Sequence, residues 1–353
     1  MALTRRGKAM VTGGTVAGFL VVGLGAMTLT GNAPAVVRDI TNAAGITEAP
    51  ATCPLTGEEL PEGQQAPDRP VLAVKVENTP DAQPLNGLDK ADVVYEEVVE
   101  GGITRFISVF HCESTTRVGP VRSARTTDPK ILLQFSEHPI LAFSGGAKKV
   151  VNGALDAGLI LMTEGDPASP FSRDEVREAP HNLFTNTAKL WAVGRKRAEG
   201  EPSPRAVFTY AEEVPTPNKK GAGVTVVFSS LATAEWRWEG GRYVRYLDGQ
   251  PMELENGNPI TADNIVIQRV ATTESDITDV AGYPSPEVAV TGQGKAWVLR
   301  NGRLIQGTWE RASEGDLTTF TTKSGDPITL TPGNTFVELA PTGMFDADVT
   351  FGK

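Results

Sequence analysis

Along this chain the spacing of apolar positions changes character several times, and each change marks a boundary. It begins with an uncharged run, "AMVTGGTVAGFLVVGLGAMTLTG", behind the basic "TRRGK". A run of that length spans a bilayer, and the positive flank puts the N-terminus inside. Residues 36–69 show no apolar period and are rich in Pro, Gly, Ala and acidic residues, which predicts a tether. Strand-like runs follow: "VLAVKVEN" (71–78), then "VVYEEVVE" and "ITRFISVF" joined by Gly101-Gly102 as a hairpin. A two-residue turn there sets Glu100 opposite Ile103 and Val98 opposite Arg105. Arg105 is then diagonal to Glu96 and Glu100 on one face, with Val99, Thr104 and Phe106 on the other.

Helical and strand-like spacings alternate next. "TTDPKILLQFSEH" has Asp128 where an N-cap belongs, Pro129 at the first helical position, and Ile131, Leu132 and Phe135 to bury. "PILAFSGG" and "LILMTEG" read as strands, while "AKKVVNGALDAG" and "TNTAKLWAVGRKRAEG" read as helices, the second capped near Thr185 or Asn186. Such alternation predicts an α/β (or α+β) domain with a mixed sheet over residues 70–211. The Pro-rich segment 212–223, "EEVPTPNKKGAG", reads as a linker. From 224 to 353 short alternating runs separated by Gly, Asn and Asp predict an all-β domain, sandwich- or barrel-like, with "RNGR" as a type I′ hairpin.

Charge and cysteine content sharpen this picture. With 353 residues the chain suits two domains, and 43 acidic against 33 basic residues (net −10) argue against a general nucleic-acid binder. Residues 1–35 are a signal peptide, with Ala33-x-Ala35 as cleavage site, or a retained membrane anchor. Both readings place the rest outside the cytoplasm. In that compartment Cys53 and Cys112 suit a disulfide, worth about 3–4 kcal/mol. Two free thiols are the alternative. The cysteines and the three histidines have no metal-ligand spacing, so neither a metal nor a cofactor is expected.

One segment concentrates chemistry. In "RVGPVRSARTTDP" the Gly119-Pro120 turn lets Arg117 and Arg122 converge, Ser123 and Thr126 add hydroxyls, and the chain feeds into a helix N-terminus. Guanidinium forks match phosphate or carboxylate, so Arg117, Arg122, Ser123 and Arg125 are candidate ligands of an anion, supported by Arg105 and Glu100. The competing reading pairs these arginines with Glu96, Glu97, Glu100 and Glu113 as a structural network. Ser144, Gly145 and Gly146 in "AFSGGAKK" form a second loop before a helix, either a tight turn or a partner in the same crevice. His181 in "PHNLFT" is a candidate acid/base, as is Glu100, and Asn182 beside it is a candidate orienting amide and ligand contact; a hydrogen-bonded loop histidine is the alternative.

Together, "VLAVKVENTPDAQPLNGLDKADVVYEEVVEGGITRFISVF", "RVGPVRSAR", "SGG", "PHNLFT", "GKAWVLRNGRLIQGTWER" and "LTPGNTFVELAP" resemble the YerB-like family of bacterial envelope proteins, known as domain of unknown function 3048. The resemblance spans about residues 70–341 and implies an extracytoplasmic two-domain protein; it carries no activity. Members are often lipoproteins, whereas Cys53 here lacks the residues of a lipidation site. The function expected is that of a membrane-associated protein binding an anionic small molecule or an envelope glycan or lipid precursor. An enzyme acting on such a substrate and a protein-interaction scaffold are the alternatives.

Overall fold

Five strands carry the N-terminal half of the main sheet: β1 (Leu72–Asn78), β2 (Val93–Val98), β3 (Thr104–Phe110), β4 (Ile140–Ala142) and β5 (Ile160–Met162). They are seen in a computed structural model that describes residues 50–166, 169–197, 203–279 and 281–352. The N-terminal apolar run and the proposed cleavage site lie outside the described residues. Among the described residues no helix is long and apolar enough to cross a membrane. β2 and β3 are antiparallel, as are β3 and β1, whereas β1, β4 and β5 run parallel. The parallel connections carry α1 (Thr127–Leu132) and α2 (Lys148–Asp156). The mixed sheet expected from the alternating spacings is therefore present.

The remaining elements are the hairpin β6 (Phe171–Arg173) with β7 (Leu183–Thr185), helix α3 (Thr187–Gly194), and thirteen further strands. These are β8 (Lys219–Lys220), β9 (Gly223–Ser229), β10 (Ala232–Glu239), β11 (Arg242–Leu247), β12 (Gln250–Pro251), β13 (Thr261–Ala262) and β14 (Asn264–Thr278), then β15 (Pro284–Val288), β16 (Gly292–Arg300), β17 (Arg303–Arg311), β18 (Thr319–Thr322), β19 (Thr335–Gly343) and β20 (Asp348–Gly352). The second half is all β, as its alternating runs predict. Arg300 faces Arg303 across β16–β17, with Asn301 and Gly302 both at positive φ, the geometry of the expected type I′ turn.

These strands do not close into a barrel of their own; they lie in two sheets packed face to face, one of which is shared with the first half. Those of β14 and β16–β19 extend the main sheet, in the order β18-β17-β16-β14-β19-β2-β3-β1-β4-β5. β19 is the seam: it pairs in parallel with β14 on one side and with β2 on the other. Strands β9–β13 and β20 form a separate six-stranded sheet. One face of the main sheet, through Val74, Val76, Phe106 and Phe336, packs on that second sheet's Val226 and Trp236 and on Trp191 of α3. The other, through Ala73, Ile107 and Val109, packs on Ile131 of α1 and Val150 of α2. Cys53–Glu58 and Pro67–Lys353 make one compact unit. Cys53 and Cys112 are joined as a disulfide, and Leu55 is fully buried, so this part of the stretch expected as a tether is packed.

Two local expectations need correction. Val98 pairs with Thr104 and Glu97 with Arg105, so the hairpin turns through five residues, Val99 to Ile103, instead of two. Because strand side chains alternate, that one-residue shift moves Arg105 to the face of Glu97 and Glu77, and leaves Glu96 with Thr104 and Phe106 on the other. The wider turn is what lets the Glu100 carboxylate reach Arg125 and Ser285. Helix α1 is capped at Thr126, not Asp128. Asp128 lies buried in its first turn, where Oδ1 accepts from Lys75 Nζ at 2.7 Å and Oδ2 from the Arg125 backbone N–H at 2.7 Å.

Candidate functional site

The arginine segment is threaded between β1 and β7. Val118 and Thr185 exchange backbone hydrogen bonds, Val121 donates to Leu183, and Arg122 donates to Lys75 at 2.9 Å. Gly119, at φ +145°, makes the close approach possible, since a Cβ there would stand 2.8 Å from the Leu183 carbonyl oxygen. The serine-glycine loop lies directly beside this segment: Ser144 N–H donates to Arg122 O at 3.0 Å, and Ala124 N–H to Gly145 O at 3.1 Å. The two loops singled out in the sequence thus form one backbone-bonded unit. Gly145 and Gly146 keep φ of +85° and +145°.

A cleft of about 310 Å³ opens at this unit. Arg105, Arg122, Ser123, Arg125, Glu100 and Gly146 line it, and Val150, Ile277 and Asp279 contribute apolar and acidic atoms. The three guanidinium groups differ in their partners. Arg125 is held by Glu100, whose Oε2 accepts from its Nε at 2.9 Å, and by the Ala124 carbonyl at 2.8 Å. Burial works to raise the Glu100 carboxyl, but Arg125 and the Ser285 hydroxyl outweigh it and hold the group below the usual range. Arg122 has only Glu77, with Nε 3.3 Å from Oε1, and this Nε makes no hydrogen bond among the described residues.

Arg105 is the least compensated. It is 6% exposed, forms no ion pair among the described residues, and has only a 3.4 Å contact from one terminal nitrogen to Ser123 O. Its buried Nε has no hydrogen-bond partner among the described residues. Burial, and then the charges of Arg125 and Arg122, push this guanidinium down to about 10. Behind it Lys75 bridges Glu97 and Asp128 in a buried trio, and burial pushes the Glu97 carboxyl up despite that lysine.

Other residues named from the sequence fall elsewhere. Arg117 lies over the Phe184 ring, pairs with Asp174 and Glu255, and lines a different cleft of about 520 Å³. The Gly-Pro turn therefore separates Arg117 from Arg122. Asn182 accepts from Arg173 at 2.8 Å and donates to Asp174 O at 3.3 Å, away from the cleft. His181 does not line the cleft; its Nδ1 is 2.9 Å from Glu77 Oε2, so it reaches Arg122 through a shared carboxylate. Glu77, missed in the sequence, is 2% exposed and joins the two. Its alternation with Lys75 on β1 was the available signal, since both charges point to one face of a strand otherwise full of Val and Ala.

Comparison with known proteins places the chain in a family. The "Protein of unknown function (DUF3048) N-terminal domain" matches residues 55–201, and the DUF3048 C-terminal domain matches residues 224–337. YerB, a candidate lipoprotein of Bacillus subtilis (strain 168), is 29% identical over 300 residues, covering 82% of this chain and 86% of its own length. The crystal structure of Bacillus subtilis YerB shares the fold, with a TM-score of 0.69 at 24% identity, over 85% of this chain and 99% of that one. Through both of its halves, the chain belongs to the DUF3048 family.

Proposed function

We propose that this protein is an extracytoplasmic, membrane-associated component of the cell envelope that binds an anionic ligand in the Arg105–Arg122 cleft. The basic-then-apolar N-terminus and a candidate lipoprotein among its relatives support the location. The ligand carries a phosphate or carboxylate and is a small molecule or a glycan or lipid precursor of the envelope. Arg105 carries the reading: a buried guanidinium that forms no ion pair among the described residues, with Glu100 and Glu77 acting on it only from a distance, costs stability, and a bound anion would supply a direct partner. Arg122 is the second donor, Arg125 is fixed by Glu100 as a wall, and the Ser144–Gly146 loop forms the rim. Binding is favoured over catalysis because the acid/base candidate His181 stands behind Glu77, while the other candidate, Glu100, lines the cleft but is engaged by Arg125 and Ser285, which hold its carboxyl below the usual range. It is favoured over a purely structural role because that role requires every arginine to be paired.

A thermal-shift titration of the full chain tests this, with inorganic phosphate, phosphomonoesters, phosphodiesters and simple carboxylates as probes. Saturable stabilisation is expected for at least one anion class, about 2.7 kcal/mol at a hundredfold excess over Kd. It should vanish in Arg122→Ala. No stabilisation by any of these anions, or an equal response in Arg122→Ala, would sink the assignment.

A further inference from the structure

At the opposite end of β3 from the arginine cleft, three potential metal ligands meet. The side-chain ligand atoms of Cys53, His111 and Cys112 all lie within 4.8 Å of one another. His111 is fully buried, and its Nε2 is 3.0 Å from the Pro67 carbonyl oxygen. A carbonyl only accepts, so Nε2 carries the ring hydrogen and Nδ1 keeps its lone pair. That lone pair faces Cys112 Sγ at 3.6 Å, a sulfur without a hydrogen while the disulfide is formed. With the ring held by the backbone at Pro67 and Arg69, Nδ1 faces a sulfur that cannot donate to it.

We propose that reduction converts this corner into a Cys2His site for a soft divalent ion, Zn2+ being the type case. An imidazole oriented by donating its far nitrogen to a backbone carbonyl is the usual support of a metal-ligating histidine. Tetrahedral zinc, with bonds of about 2.3 Å to sulfur and about 2.0 Å to nitrogen, sets its ligand atoms about 3.5–3.8 Å apart. The observed Nδ1–Sγ separation already has that value, and the cysteine Cα atoms are 6.1 Å apart, so Cys53 Sγ needs only a rotamer change.

The backbone of both neighbouring ligands is clamped. Asp92 accepts the N–H groups of His111 and Cys112, and Arg69 donates to the His111 carbonyl at 2.8 Å and the Cys112 carbonyl at 3.2 Å. The fourth position is left to water on the partly exposed side of Cys112. A dithiol reductant supplies two electrons and two protons to open the disulfide and is itself oxidised to a disulfide. Zinc then displaces the two thiol protons, which pass to solvent.

The test compares the oxidised and phosphine-reduced full chain, titrated with Zn2+ and with Co2+ as a spectroscopic stand-in. The expected result is one Zn2+ per reduced chain with an unchanged far-ultraviolet circular dichroism spectrum, none bound to the oxidised chain, and release of two protons. Co2+ should give a tetrahedral d–d spectrum with thiolate charge-transfer bands. His111→Gln, which keeps a donor for Pro67 O, should weaken binding by more than about tenfold. Loss of the folded spectrum on reduction, equal binding by the oxidised chain, or cobalt bands without thiolate character would overturn the proposal. If His111→Gln fails to fold, the wild-type cobalt spectrum and proton count decide it.

Discussion

Arg105 and Arg125 stand on adjoining walls of one cleft, yet they make opposite demands on the fold. Arg125 is satisfied by Glu100 and by two carbonyls, so removing it leaves a buried carboxylate without its cation. Arg105 forms no ion pair among the described residues, and burial disfavours its charged form. Arg125→Met is therefore expected to lower stability by about 3 kcal/mol, the lower end for a broken buried pair because the cleft side is open to water. Arg105→Met is expected to leave stability unchanged or raise it, by on the order of 1–3 kcal/mol, while abolishing the anion-dependent thermal shift. Urea unfolding midpoints with and without phosphate read both effects. A large loss of stability in Arg105→Met would return that residue to a structural role. Composition and the "RVGPVRSAR" motif made Arg122, Ser123 and Arg125 legible in the sequence. They could not reveal which guanidinium lacks a counter-ion, because that depends on cross-strand distances.

At the scale of elements, local chemistry was read well where one residue decides and poorly where register decides. The Asn186 cap of α3 and the Asn301-Gly302 turn follow from the residues themselves, and both are present. The β2–β3 hairpin was misread by one residue, because Gly101-Gly102 looks the same in a two-residue turn and in the wider loop observed. What settles it is distant in sequence: Glu100 is drawn to Arg125 and Ser285, and Gly102 packs against Ser229. The same dependence on a distant neighbour governs the arginine segment, which is positioned by β1 and β7 and not by its own turn. Gly119→Ala forces a Cβ towards the Leu183 carbonyl at a φ that disfavours side chains, so a loss of about 1–3 kcal/mol is expected. The anion response should weaken with it, since Arg122 follows three residues later. Gly101→Ala, at φ +70° with open space around it, is the control for backbone strain without collision. Equal losses in the two variants would show that the threading of the arginine segment is unimportant.

The whole molecule is held by the seam at β19, and the polar part of that seam is a buried charge cluster that no local pattern announces. Glu338 of β19 sits directly across from Glu96 of β2. Arg245 of the six-stranded sheet reaches between them, 2.8 Å from Glu96 and 3.4 Å from Glu338, while Trp236 Nε1 donates to Glu338 at 2.7 Å. One guanidinium thus serves two fully buried carboxylates, and burial, followed by the charge of Glu96, pushes the Glu338 carboxyl well above its usual range. A carboxyl raised in the folded state favours the protonated form, so its contribution is fully present below the unfolded value, about 4.3, and is lost as pH rises towards the folded value. Glu338→Gln keeps an acceptor for Trp236 and a donor towards Glu96 but cannot ionise. Its stability should match the wild type near pH 4 and exceed it increasingly as pH rises to 8, at up to about 1.4 kcal/mol per pH unit while Glu338 remains protonated in the fold. The difference between their urea midpoints reads the Glu96–Glu338 pair that Arg245 serves, since every other titrating group is common to both proteins. Parallel profiles across that range would mean that Glu338 is ionised in the folded protein and that Arg245 suffices for both acids.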